Sequence, residues 1–378
     1  LGSRAARNLG KCGIALVGES TPSQYYIDRE ANELHLANGG ILSAGDDLTL
    51  DGFTGNVYSG TISMTSGTVD SDYQTVMEWA DRYKHVKVLA QTGSYYEAEM
   101  AAEHGAEGIG LCRTDYMINS GDCKMWTRAA ILSDDRAHRI EYLNKMLPFH
   151  EAEAVKVIEL MPTKQVSFRL LDSPLNEFLP RLVGSVVCNC GKECPVSCDC
   201  RKPPSEPDIQ ASHFYSEFQA LGNILGVSPE EVYTRVHDMH ENTPFLGFRG
   251  SRLCVVYPEI ATMQTTAIIG AAITAAQGGH TLGRVEIVIP LVVSDHEVQH
   301  IVPTLRAAAE TVMRERGLKI EYHIGVSLEV PRSCMRADTI AMEGSVDSVT
   351  FDTNSLTQLM YGFSKVDTDR FLGEYMNR

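Results

Sequence analysis

The sequence predicts an α/β protein with a parallel sheet of the (β/α)8, or TIM-barrel, type. From residue 70 onward, short apolar runs of strand length alternate with longer segments of helical periodicity. Such alternation is typical of βαβ units, because parallel strands need a crossover connection between them. The length of 378 residues leaves room for a barrel of roughly 250 residues and a smaller second unit.

Residues 12–66 lack a long helical period and predict a small β-rich unit. Residues 14–17 form an apolar run of the buried type, and residues 48–50 alternate before turns at Asp51-Gly52 and Gly55-Asn56. Residues 61–68 are rich in Ser, Thr and Gly, which favours a linker.

Seven strands are predicted in the remainder of the chain: 86–90, 108–112, 166–171, 245–253, 285–292, 322–330 and 349–353. The best-marked helices between them are 71–85, 95–104, which Gly105 closes, and 258–277, which begins with a proline and ends before two glycines. Seven strands are one fewer than a closed barrel requires. Residues 355–378 are too few and too helical in pattern to supply another strand with its helix, so the sequence predicts that the eighth strand is missing.

Composition and charge exclude several classes of protein. With 33 basic and 49 acidic residues, the net charge of −16 argues against a nucleic-acid or anionic-membrane surface. The hydrophobic fraction of 43% is that of a globular protein. No apolar run approaches the roughly 18 residues of a membrane span, and residues 1–11 lack a signal-peptide core. A soluble, cytoplasmic protein is expected.

Polar side chains follow the predicted strands where each strand ends: Arg113, Arg169, Arg249, Arg252, Glu329, Arg332 and Asn354. The βα loops of a barrel converge at that end, and gathering several arginines there is costly unless an anion lies between them. A planar guanidinium pairs with phosphate or carboxylate oxygens in two places. The pattern therefore predicts an anion pocket, with Glu329 either a divalent-cation ligand or a counter-ion to an arginine.

The ten cysteines fall into two sets. Five are dense in sequence, namely Cys188, Cys190, Cys194, Cys198 and Cys200. They indicate either a Cys-rich surface segment or, less favoured because no Cys-x-x-Cys pair is present, a zinc site or local disulfides. The other five are scattered and predicted to be free thiols, mostly buried.

Several long motifs, in order along nearly the whole chain, resemble the pyruvate phosphate dikinase family of phosphoenolpyruvate-utilising enzymes. They are GAEGIGLCRT from Gly105, FRLLDSPLNEFLP from Phe168, PFLGFRGSRL from Pro244, YPEIATMQ from Tyr257, and TNSLTQ from Thr353 followed by GFS from Gly362. Residues 45–60 are similar to the end of that family's swivelling phosphohistidine domain, and residues 10–12 to the segment after its histidine.

The resemblance implies two domains: 1–68, the C-terminal part of the phosphohistidine domain with its linker, and 69–378, the phosphoenolpyruvate/pyruvate-binding barrel. The family makes phosphoenolpyruvate from ATP, pyruvate and phosphate, and its barrel transfers the phosphoryl group between phosphohistidine and pyruvate with Mg²⁺. The implied roles are phosphoryl and enolate contacts for Arg113, Arg169 and Arg249, substrate contacts for Thr353 and Asn354, and a magnesium bond for Glu329.

The sequence also departs from the family pattern at the site. The family's second magnesium ligand, an aspartate, is Ser355 here, and a neutral hydroxyl is a poorer ligand for a hard cation. A family glycine is Asp352, which would either replace the lost ligand or repel the substrate. Lys365 stands where the family has an arginine that contacts phosphate; it keeps the positive charge but lacks the planar guanidinium that binds two oxygens. Asp115 stands where the family has a glutamate, so its side chain is shorter.

The phosphohistidine, the proton-transferring cysteine and the ATP-binding domain have no counterpart within these 378 residues. Three interpretations remain open: an ordered portion of an active dikinase, a degenerate homologue that binds a phosphorylated ligand without turnover, and a structural barrel in a larger assembly or homo-oligomer. Impaired catalysis is favoured over full activity because of Ser355. A scaffolding role would also allow a cytoskeletal or other assembly-bound location.

Overall fold

The structure, a computed structural model, describes residues 12, 14, 25–28, 31–36, 40–52, 54–63, 71–118, 121–180, 215–365, 367–368 and 371–377. The chain divides into two compact units, Leu1–Val86 and Lys87–Arg378. The predicted Cys-rich segment 188–200 lies outside the described residues, as does most of the predicted strand 14–17.

The described part of the first unit contains two small antiparallel sheets and the helix Ser71–Tyr83. Strands β1 (Tyr25–Asp28), β2 (Glu33–Leu36) and β3 (Ile41–Ser43) form one sheet, and β4 (Leu48–Asp51) pairs with β5 (Asn56–Ser59). The predicted strand 48–50 and the β-rich character of this unit are confirmed. The helix Ser71–Tyr83 also forms as predicted, although every one of its side chains is exposed.

The second unit is built on a six-stranded parallel sheet, which confirms the α/β barrel-type fold. Its strands are β6 (Ala90–Thr92), β7 (Gly108–Arg113), β8 (Gln165–Arg169), β9 (Val285–Val292), β10 (His323–Leu328) and β11 (Ser348–Phe351). Every neighbour in this sheet is also the next strand in sequence, and every pair is parallel. Because the order is sequential, all six carboxyl ends lie at one end of the sheet.

Helices connect these strands. Those that the structure describes in the second unit are Tyr95–Glu103, Asp115–Ile118, Cys123–Leu132, Arg136–Leu160, Leu175–Phe178, Tyr215–Leu225, Pro229–Asp238, Ser251–Val256, Pro258–Gln277, Asp295–Arg316, Pro331–Met335, Ala337–Glu343, Thr353–Tyr361 and Leu372–Met376. The helix predicted at 258–277 has the predicted bounds, and Gly105 follows the helix Tyr95–Glu103 with a φ of +82°, as its closing role requires.

One face of the sheet is apolar and the other is polar. Along β8, Val166 and Phe168 belong to the main core, which the helices Arg136–Leu160 and Pro258–Gln277 also build. The alternate residues Ser167 and Arg169 point to the opposite face, because side chains alternate along a strand. Glu286 accepts hydrogen bonds there from the Ser167 and Ser348 hydroxyls, each at 2.6 Å. The site side chains are thus carried on a polar inner surface.

Two strand predictions need correction. Residues 245–253 form a 3-10 turn, Pro244–Leu246, and the helix Ser251–Val256 rather than a strand. A short apolar run does not distinguish a strand from a buried helix, and Gly247 and Gly250 interrupt it. The first barrel strand lies at Ala90–Thr92 instead of 86–90, and Val86 and Val88 are 77% and 65% exposed beside this edge strand. The described residues therefore supply six parallel strands, not seven.

Among the residues that the structure describes, no helix is both long and apolar enough to cross a membrane. Of the scattered cysteines, Cys112, Cys123 and Cys254 are buried free thiols, as predicted, whereas Cys12 is exposed and Cys334 half-buried. Burial raises the pKa of the Cys112 and Cys254 thiols to about 12, so both are protonated and unreactive.

Candidate functional site

The carboxyl ends of β7 and β8 place two arginines side by side. Arg113 is the last residue of β7 and is the register partner of Arg169, the last residue of β8. The strand ends are tied together by Gln264, whose amide nitrogen donates to the Thr114 hydroxyl at 2.7 Å and whose oxygen accepts from the Leu171 N–H at 3.0 Å. Two cations are thus brought to one edge of the sheet.

Asp172 lies at the centre of the site. Its Oδ2 is 2.9 Å from Arg169 Nη1 and 2.6 Å from Arg249 Nη2, and the Arg249 Nε donates to its backbone carbonyl at 2.8 Å. All three residues are buried, with 2%, 5% and 7% exposure for Asp172, Arg169 and Arg249. A carboxylate shared by two guanidinium groups fixes the orientation of both.

Asp115 fixes the other side of Arg169. Its Oδ2 is 2.9 Å from Arg169 Nη2, and its Oδ1 accepts the backbone N–H groups of Asp172 and Ser173 at 2.9 and 2.8 Å. Burial alone would raise the pKa of Asp115, but the Arg169 charge and these donors outweigh burial and hold the pKa below its usual value. The shorter aspartate therefore reaches Arg169 and stays ionised.

Glu329 follows β10 and completes the cluster. It is fully buried, its Oε1 accepts the Leu291 N–H at 3.2 Å, and its Oε2 lies 3.8 Å from Arg249 Nη2. Burial and the charge of Asp172 raise the pKa of Glu329 to about 7, although Arg169 and Arg249 act in the opposite direction. Glu329 is thus both a counter-ion of Arg249 and a carboxyl that exchanges its proton near neutral pH.

The raised pKa of Glu329 predicts a pH dependence of stability. The folded protein binds this proton more tightly than the unfolded chain, so the stabilisation is complete below about pH 4.5 and is lost as pH rises through about 7. Across that pH window we expect the free energy of unfolding of the wild-type protein to fall by about 2–3 kcal/mol more than that of the Glu329→Gln variant. Urea unfolding of both proteins from pH 4.5 to 8 measures the difference, and parallel pH curves would contradict it.

Three buried polar atoms of the site make no hydrogen bond within the described structure: Arg113 Nε, Arg169 Nε and Glu329 Oε2. Native proteins satisfy nearly all such groups, and an unsatisfied one carries a desolvation cost. The two guanidinium N–H donors on the neighbouring strand ends leave capacity for a ligand that accepts hydrogen bonds, whereas Glu329 Oε2 has only its ion pair with Arg249.

Other predicted residues lie outside this cluster of contacts. The Arg252 guanidinium donates to the carbonyls of Leu246 and Gly247, at 2.7 and 2.6 Å, and supports the preceding turn. The remaining four are exposed, and no ion pair of the described chain joins them to the cluster: Arg332, Thr353, Asn354 and Lys365. Asp172 and Gln264 lie within the family-like motifs, but the sequence alone assigns neither of them a role. The one signal for Asp172 is its position just beyond a strand end.

At Ser355 a hydroxyl stands where the resemblance implies a carboxylate ligand for magnesium. Asp352 caps the helix Thr353–Tyr361, because its Oδ1 accepts the Ser355 N–H at 2.9 Å, and Ser355 offers only a hydroxyl. No group of three or more His, Cys, Asp or Glu side chains in the described ranges is arranged to hold a metal ion. Ser355 therefore contributes no charge to a magnesium site, and one carboxylate oxygen of Asp352 is engaged in the helix cap.

A barrel-type parallel sheet with clustered arginines and a buried carboxylate at its strand ends places the chain among α/β barrel-type proteins with a charged site at the carboxyl end of the sheet. Residues 69–373 match the family described as "PEP-utilising enzyme, PEP-binding domain", and the chain belongs to this family. This confirms the resemblance drawn from the sequence motifs.

Curated relatives are similar over nearly the whole chain. Pyruvate, phosphate dikinase from Giardia intestinalis is 34% identical over 99% of this chain, and that from Clostridium symbiosum is 34% identical over 98%. The corresponding protein from Rhizobium meliloti is 36% identical over 92% of this chain. The chain spans 38%, 38% and 35% of the length of these three relatives.

Proposed function

We propose that this chain is the phosphoenolpyruvate/pyruvate-binding part of a pyruvate phosphate dikinase-like protein. The family reaction would be phosphoryl transfer between a phosphohistidine and pyruvate. The observation that carries the proposal is the pair Arg169–Arg249, held rigidly by Asp172, with donors that make no hydrogen bond on Arg169 and on its register partner Arg113. Donors fixed before binding neutralise charge on a transferring phosphoryl group without reorganisation.

Each side chain has a distinct task in this proposal. Arg113 and Arg169 would donate to phosphoryl and enolate oxygens, while Asp115 and Asp172 keep the guanidinium planes in place. Thr353, Asn354 and Lys365 are exposed and would contact the substrate directly. We infer that residues 1–68 belong to the phosphohistidine domain and residues 69–378 to the barrel.

We further propose that catalysis is impaired. Ser355 lacks the negative charge of a carboxylate ligand, and Asp352 uses its carboxylate to cap a helix. A weakened Mg²⁺ site would slow the reaction while leaving the arginine cluster able to bind an anion. The alternative is a non-catalytic scaffold.

Binding of phosphoenolpyruvate tests the proposal. Calorimetric titration of the folded protein should show binding, and Arg113→Met should raise the dissociation constant by about 10- to 100-fold, because a charge-assisted hydrogen bond is lost. Arg113 takes part in no ion pair of the described chain, so this variant should remain folded.

Arg314→Met is the matched control, since it removes the same charge from an exposed helix position and should bind normally. Absence of binding by the folded wild-type protein, with and without magnesium, would overturn the binding proposal in favour of the scaffold.

A further inference from the structure

The backbone of Leu291 adopts a conformation that few leucines adopt. It lies in β9 with a φ of +53°, and its side chain is buried. The pairing of β9 with β10 shifts there, from Val326 opposite Ile289 to Leu328 opposite Val292, so β9 carries an extra residue. Such a bulge disrupts the ladder locally, and a positive φ is costly for a bulky residue.

Two hydrogen bonds hold Leu291 in this conformation. Its N–H donates to Glu329 Oε1 at 3.2 Å, and its carbonyl oxygen accepts from the Ser251 hydroxyl at 2.8 Å. Ser251 is fully buried and begins the helix Ser251–Val256. Since these bonds lie on opposite sides of the Leu291 Cα, together they fix the orientation of both adjoining peptide groups.

Gly250 makes this contact sterically feasible. Its φ is +60°, and a Cβ on Gly250 would lie 2.7 Å from the Cβ of Leu291 and 3.0 Å from Asp172 Oδ1. Only a residue without a side chain lets the helix start approach β9 so closely. The helix Ser251–Val256, the bulge in β9 and the arginine cluster are therefore packed as one unit.

We propose that Ser251 is a positioning residue of the anion site, which acts on Glu329 through the backbone of Leu291. Its hydroxyl keeps Leu291 in the left-handed conformation and so directs the Leu291 N–H at Glu329 Oε1. With Oε1 held, Oε2 remains on the Arg249 side of the carboxyl group. The ligand-binding part of this inference rests on the proposed function, whereas the link from Ser251 to Glu329 does not.

A double-substitution cycle tests the link. Ser251→Ala leaves the Leu291 carbonyl buried without its donor, so the bulge should relax and the N–H turn away from Glu329. The Leu291 amide, observed by selective 15N-leucine labelling, should shift and exchange with solvent at least about tenfold faster. Glu329→Met, which removes the acceptor, should also shift that amide, and Ser251→Ala should then have little additional effect.

Ligand affinity provides the second measurement. Ser251→Ala should raise the phosphoenolpyruvate dissociation constant about five- to tenfold in the wild-type background, and less than about twofold when Glu329 is already methionine. The matched control is Thr127→Val, which removes a buried hydroxyl that donates to the Cys123 carbonyl at 2.9 Å. It should leave both the Leu291 amide and the affinity unchanged.

The possible outcomes separate the two proposals. An unchanged Leu291 amide in Ser251→Ala, or additive effects of the two substitutions, would overturn the positioning role. A changed amide in a protein that does not bind phosphoenolpyruvate would support the link between Ser251 and Glu329 and reject the proposed function instead.

Discussion

Replacing Asp172 with alanine is expected to lower the free energy of unfolding by about 3–5 kcal/mol, because it leaves two buried guanidinium groups without their shared partner. Arg169 retains Asp115, but Arg249 loses its contacts at 2.6 and 3.1 Å to this carboxylate, and Glu329 at 3.8 Å is the one carboxylate left to it in the described structure. Its hydrogen bonds to the carbonyls of residues 172 and 245 are neutral and do not replace the lost charge. Urea unfolding of the variant and the wild-type protein at pH 7 measures this loss of stability. The Asp172→Ala variant should also no longer bind phosphoenolpyruvate.

Asp134→Ala provides the comparison for Asp172. Asp134 also pairs with an arginine, Arg235, at 2.8 Å, but its side chain is 82% exposed. An ion pair in water contributes little, so this substitution should cost no more than about 1 kcal/mol. Similar losses for Asp134 and Asp172 would show that burial of the cluster does not control its energetics.

The cluster also shows which features of the site can be predicted from the sequence. Arg169 and Glu329 could be assigned to the same end of the sheet because each follows a recognisable strand, and strand ends converge in a parallel sheet. Their pairing could not be assigned. Asp172 joins Arg169 to Arg249, which lies 77 residues after Asp172, and the contact depends on how the intervening chain folds.

The local hydrophobic pattern predicts the wrong element where the same sequence is compatible with both a strand and a helix. Residues 245–253 carry enough apolar residues for a strand, yet their backbone turns at Gly247 and Gly250 and continues as a helix. The positive φ of Leu291 is invisible in the sequence for a different reason. It is imposed by contacts with Ser251 and Glu329, which lie 40 positions before it and 38 after it.

Asp352 illustrates a third limit, because one side chain suits two roles. Its sequence position allows a replacement metal ligand, but an aspartate before a helix is also a favourable N-cap. In the structure its carboxylate accepts the Ser355 N–H. The charge of Asp352 nevertheless acts on Glu329 and contributes to raising the pKa of that carboxyl group. The surroundings of Ser355 are therefore already negative, which bears directly on restoring a metal ligand there.

Replacing Ser355 with aspartate is expected to raise the affinity for Mg²⁺ by roughly a hundredfold, because a carboxylate binds hard divalent cations far better than a hydroxyl. Ser355 is 6% exposed, so the new carboxylate would be desolvated and close to Asp352. Repulsion between these carboxylates should destabilise the metal-free variant, and Mg²⁺ should reverse the loss. Calorimetric titration with Mg²⁺, with melting temperatures at several Mg²⁺ concentrations, measures both effects.

Ser355→Asn separates the charge from the change in size, and it should bind Mg²⁺ no better than the wild-type protein. In the double variant Ser355→Asp/Glu329→Gln the gain should disappear, because both carboxylates are required. If Ser355→Asp folds but binds no more Mg²⁺ than Ser355→Asn, the proposed loss of the metal site through Ser355 is wrong. The helix-capping role of Asp352 would then be the next feature to change, by Asp352→Gly in the same background.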